Sequence, residues 1–172
     1  MNRIALSAEG FDPPRWEKRL RVFARKALAA LGRDGWELSV LLCDDRAMSE
    51  LNLRFRGKEG PTDVLSFAQG EGFPTGGRRA SACTGDVAIS LDTLRENSRA
   101  FGVDPDEELR RLLIHGILHL DGMDHETNDE AEPMLRLQEK ILEELADSRV
   151  LPRADALAGF SSRGEPPGGG NA

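Results

Sequence analysis

The sequence predicts an α+β fold, with helices packed on a small mixed β-sheet in one domain. Three observations carry the prediction. Apolar residues switch between a period of two and a period near 3.6, in the order β-α-β-α-β-β-α-α-α. One strand ends in a nearly unbroken apolar run, as expected for a strand inside a sheet. Two further strands flank a single loop and can pair with each other.

The elements follow in order. IALS at 4–7 is a short strand. Pro13 and Pro14 suit a helix start. Trp16, Leu20, Phe23, Ala27 and Leu31 then recur at spacings of three and four, and Gly32 ends that helix. WELSVLLC at 36–43 is the interior strand. Asp44 or Asp45 caps a second helix carrying Met48, Leu51 and Phe55. Gly57 to Pro61 breaks the chain before the strand TDVLSF at 62–67. Residues 69–82 form a glycine-rich loop expected to be mobile, and GDVAIS at 85–90 is a further strand. Residues 91–101 are helical, and another helix runs from Asp104–Pro105 through LRRLLIHGILHL to a stop at Gly122. Pro133 opens a last helix whose inner face is Leu137, Ile141 and Leu145. The folded domain covers 1–151; residues 152–172, ending SSRGEPPGGGNA, form a disordered tail.

Bulk properties exclude several classes. No apolar run approaches the ~20 residues of a membrane span, and MNRIALSAEGFDPP lacks the apolar core of a signal peptide. A cytoplasmic protein without membrane partners is the expectation. Cys43 and Cys83 have no CxxC spacing, and a disulfide scaffold is not expected in a chain of this size and compartment. The net charge of −7 argues against a general nucleic-acid binder, yet residues 15–26 hold six basic groups and one acid. That stretch reads either as a solvated helix face or as a track for an RNA backbone.

All three histidines fall within HGILHLDGMDH at 115–125. His115 and His119, four apart on a helix, can reach one point. A left-handed turn at Gly122 can return His125 toward them. Three neutral imidazoles suit Zn²⁺ with one open position, the mark of a catalytic rather than a closed structural site. Nickel, copper and manganese remain compatible with these ligands. The apolar residues around the pair predict a buried helix beside a metal cleft. Gly116, unfavourable in mid-helix by about 1 kcal/mol, implies a close approach to the backbone. The spacing H-x-x-x-H-x-x-G-x-x-H is shared with metzincin peptidases, but those carry a glutamate base where Gly116 stands.

With this motif the sequence resembles the YbeY family of bacterial metal-dependent endoribonucleases. HGILHLDGMDH resembles its histidine signature throughout, LNLRFRGKEGPTDVLSF at 51–67 its arginine-bearing segment, and TGDVAIS at 84–90 its Gly-Asp strand. The resemblance spans most of 1–150 and implies one zinc ion on His115, His119 and His125. It implies cleavage of single-stranded RNA in rRNA precursors, notably at the small-subunit 3′ end, and a part in ribosome quality control. The implied partners are the small ribosomal subunit and ribosome-associated proteins. It also implies a catalytic arginine, placed at Arg56 with Arg54 as rival; a guanidinium matches phosphoryl oxygens in two-pronged geometry. Asp124 and Asp86 are candidates for holding the far nitrogen of a ligating ring, though Asp124 reads equally as a cap of its turn. Asp63 reads as a strand-end residue. The competing functions are a zinc metallopeptidase and a non-catalytic ribosome-assembly factor with a structural metal.

Overall fold

The computed structural model describes residues 1–68 and 83–153. The loop expected at 69–82 lies outside them, as does the expected tail apart from Pro152 and Arg153. The described chain forms β1 (Arg3–Glu9), α1 (Glu17–Ala30), β2 (Glu37–Cys43), α2 (Asp45–Arg56), β3 (Val64–Ala68), β4 (Cys83–Ser90), α3 (Leu91–Phe101), α4 (Pro105–Leu120) and α5 (Pro133–Glu144). The four strands make one sheet in the order β1-β2-β4-β3. β2 runs parallel to both β1 and β4, and β3 is antiparallel to β4, so the sheet is mixed as expected.

Local chemistry sets the boundaries. α1 begins later than the prolines suggest, because Pro14 and Trp16 first form a turn whose carbonyls accept the amides of Glu17, Arg19 and Leu20. It ends in a Schellman motif at Gly32, φ +68, with Arg33 N–H bonded to Leu28 O and Gly32 N–H to Ala29 O. Asp44 rather than Asp45 caps α2, accepting from Ala47 N–H at 2.9 Å. Asp45 instead accepts the hydroxyls of Ser90 and Thr93, each at 2.6 Å, tying α2 to the start of α3. β3 starts at Val64 because the Asp63 carboxylate accepts that residue's amide at 2.8 Å.

The strands' alternation divides the core. Ile4, Leu38, Val40, Leu42, Val87 and Ile89 belong to the larger cluster with α1, α3, α4 and α5. Leu41, Cys43, Leu65, Phe67 and Ala88 form the smaller one with Ala47, Met48 and Leu51 of α2. Cys43 is fully buried, and burial pushes its thiol pKa up, so it is an inert core residue. No described helix is long and apolar enough to cross a membrane.

One buried ion pair anchors the helix that carries the histidines. Asp106 in the first turn of α4 accepts the amides of Val150 and Leu151, both at 2.7 Å, and pairs with Arg110 at 2.8 Å. Arg110 also donates to Leu145 O at 3.1 Å. The chain after α5 is thereby fastened back onto α4.

Candidate metal centre

α4 presents its histidines from a largely buried helix. Leu109, Leu112, Leu113, Ile114, Ile117 and Leu118 are buried, whereas His115 and His119 are half-buried along one open side. Their Nε2 atoms lie 3.0 Å apart. Past Leu120 the chain turns at Gly122, φ +88, in a second Schellman motif: Met123 N–H bonds Leu118 O and Gly122 N–H bonds His119 O. The turn returns the His125 ring to within 5.1 Å of His115 and 5.5 Å of His119, centroid to centroid. One ligand atom from each of the three residues lies within 4.8 Å of the others.

The far side of each ring decides its chemistry. His115 Nδ1 sits 2.8 Å from Gln138 Oε1, His119 Nδ1 3.1 Å from Met123 O, and His125 Nδ1 2.9 Å from Thr127 O. Those oxygens can only accept, so each neutral ring carries its proton on Nδ1 and keeps a bare lone pair on Nε2. Two such lone pairs 3.0 Å apart repel unless a cation lies between them. Protonation is itself disfavoured: burial, foremost, lowers the pKa of both His115 and His119, and the other imidazoles push in the same direction. This donor set therefore fits a divalent ion that accepts neutral nitrogen ligands.

Gly116 faces away from this opening. A Cβ there would stand 2.7 and 2.9 Å from the two methyls of Val87, so the close approach inferred from the sequence is α4 packing on β4. The position that holds the peptidase base in metzincins points at the sheet and has no room for a side chain.

The remaining candidates are placed as follows. The Asp124 carboxylate accepts His125 N–H at 2.9 Å and lies 3.8 Å from His119 Nδ1, so it caps the turn while the Met123 carbonyl holds the ring. Asp86 is in register with Ser39 and Phe67 on the α2 face of the sheet, opposite α4, and is not gathered with the histidines. Adjacent strand residues point to opposite faces, and its neighbour Val87 is the one under α4. Arg56 ends α2, exposed and without an ion pair among the described residues. Arg54 lies over the Phe55 ring at 5.4 Å, and Phe55 packs edge-on against Phe67. Asp63 lies close enough to His115 to favour its charged form. Sequence reasoning missed Gln138; its signal was the spacing of Met134, Gln138 and Ile141, which puts a polar residue within an apolar stripe.

Known proteins resemble this chain over most of its length. The sequence model of the family described as Endoribonuclease YbeY matches residues 7–146. The Endoribonuclease YbeY of Treponema pallidum (strain Nichols) is 46% identical over 143 residues, covering 83% of this chain and 89% of that protein. The one from Aquifex aeolicus is 44% identical over 129 residues, covering 74% and 83%. A solution structure of a Thermotoga maritima protein superposes with a TM-score of 0.57 at 30% identity, covering 86% of this chain and 90% of that one. Fold, histidine cluster and a match across most of the sequence agree: the chain belongs to the Endoribonuclease YbeY family.

Proposed function

We propose that residues 1–151 form an endoribonuclease domain that holds one zinc ion on His115, His119 and His125 and cleaves single-stranded RNA. The observation that carries this is the convergence of three Nε2 lone pairs whose rings are fixed by hydrogen bonds to neutral oxygens. The names of the relatives supply the reaction class. With no anionic ligand among the three, a bound zinc keeps its full charge and supplies Lewis acidity toward a phosphodiester and its attacking water.

The chain's own residues do the rest. The three imidazoles would hold the ion. The Arg56 guanidinium, charged at every relevant pH and free of an intramolecular ion pair among the described residues, binds phosphoryl oxygens as negative charge builds on them. Arg15, just before α1, and Lys18 and Arg19 on its exposed side offer a path for the phosphate backbone. Seven Phe, two Trp and no Tyr leave little for base stacking. Specificity then comes from context: rRNA precursors, notably the small-subunit 3′ end, presented by the small ribosomal subunit and its associated proteins in the cytoplasm. The same setting gives a part in ribosome quality control.

The test is cleavage of a labelled single-stranded RNA and of casein by the purified protein, with and without chelator. RNA cleavage that a chelator stops and zinc restores is expected, with casein intact. Cleavage that persists in both Arg56→Ala and His115→Ala would mean a contaminating nuclease and defeat the proposal.

A further inference from the structure

We infer that Gln138 is a positioning residue of the metal centre: its amide oxygen holds His115 in the tautomer and ring orientation that offer Nε2 to the cation. The inference rests on the three-histidine metal reading above.

Gln138 is only 6% exposed, on the inner face of α5 among Met134, Ile141 and Leu142. A buried amide in an apolar stripe is costly to desolvate unless it is hydrogen-bonded. Both ends of this one are used. Its nitrogen donates to Glu139 Oε1 at 3.1 Å, and a carboxylate can only accept, so the amide oxygen must be the end facing His115. Glu139 is held in turn by Arg111, at 2.8 and 3.3 Å. Arg111 also grips Glu107 at 2.7 Å and Glu108 at 3.0 Å, all three being one to two turns before His115 on α4. The ring of His115 is thus fixed from a second helix by an amide whose own orientation is locked.

The other two rings differ. His119 and His125 donate to the main-chain carbonyls of Met123 and Thr127, partners that no side-chain substitution removes. Gln138 is the one side chain among the three partners, and it reaches across 23 positions in sequence. It is also neutral, so it fixes the ring without adding negative charge behind the ligand, as a carboxylate would.

The experiment compares the wild type with Gln138→Leu, which removes the acceptor, and Gln138→Glu, which keeps one. Long-range ¹H–¹⁵N NMR of metal-free protein reads the tautomer of each imidazole. Competition with a chromophoric chelator reads zinc affinity, and a thermal melt monitors folding. In the wild type all three rings should carry Nδ1–H. In Gln138→Leu, His115 alone should shift toward the Nε2–H form, and zinc affinity should fall about 10–100-fold. Gln138→Glu should restore the tautomer and bind zinc at least as tightly as the wild type. If Gln138→Leu does not fold, Gln138→Met, close in length and unbranched, serves in its place. An unchanged His115 tautomer with zinc affinity within about twofold of wild type overturns the inference. A wild type that takes up no zinc defeats the metal reading instead, and the tautomer comparison still decides the role of Gln138.

Discussion

His115 Nε2 and His119 Nε2 face each other at 3.0 Å, and the opposite nitrogen of each ring is already committed to an oxygen. A cation between the two nitrogens would remove their repulsion. Zinc should therefore stabilise the fold. At a free concentration one hundred times its Kd the gain is about 2.7 kcal/mol, or roughly 5–10 °C in melting temperature for a chain of this size. Thermal melts with and without zinc measure it. His119→Ala should erase the zinc-dependent shift and the bound stoichiometry together. A shift of the same size in the variant would place the ion elsewhere.

Gly116 lies on the same helix, facing the sheet, and answers to packing. Gly116→Ala gains about 1 kcal/mol of helix propensity and loses about 1–3 kcal/mol by driving a methyl into Val87. The net expectation is a loss of up to about 2 kcal/mol. Gly116→Glu should unfold the domain rather than create a peptidase. The attribution is checked by a double-mutant cycle: Val87→Ala, though destabilising alone, should recover most of what Gly116→Ala loses. Simple additivity of the two losses would mean that the contact with Val87 is not the cause.

Arg56 and Arg54 are separated by their variants. Arg56→Ala should lower RNA cleavage by about 10²–10³, and Arg56→Lys should recover little, since a point charge does not reproduce the planar fork. Stability should stay within about 0.5 kcal/mol, because the side chain is exposed. Arg54→Ala loses its stacking on Phe55, about 0.5–1 kcal/mol, and leaves cleavage near wild type. Steady-state cleavage and urea melts of the two variants decide; a larger cleavage defect in Arg54→Ala would reverse the assignment.

The residues that periodicity could reach were those whose partners lie nearby in sequence. The order of the nine described elements followed from apolar spacing, and the return of His125 followed from a glycine three residues after His119. What sequence hid was set across elements. Asp86 has the chemistry of a ring-holding carboxylate, but strand alternation aims it at the α2 side. Asp124 neighbours His125, yet its carboxylate is used on the backbone amide and a carbonyl does its expected work. Gln138 meets His115 only because α5 packs on α4, and no local pattern encodes that pairing. The inner face of α5 accordingly turned out to be Met134, Gln138, Ile141 and Leu142, with Leu137 and Leu145 at its margins.

The same burial that keeps the imidazoles bare makes the metal-free fold sensitive to mild acid. The pKa values of His115 and His119 are lowered from about 6.5, chiefly by burial. A base with a depressed folded pKa takes its proton more readily in the unfolded chain. Above about pH 6.5 both states are neutral and these groups leave stability unchanged. As pH falls below that value the unfolded state is protonated first, so stability declines, until the folded protein is protonated as well. The decline begins above the pH range in which carboxylates titrate, so it can be seen separately from theirs. Urea midpoints of metal-free protein between about pH 7.5 and about pH 5 should fall, and the slope should flatten in His115→Ala. Zinc affinity should weaken over the same interval, because protons and the ion compete for the Nε2 lone pairs. An equal slope in wild type and His115→Ala would show that the buried imidazoles do not set the pH dependence.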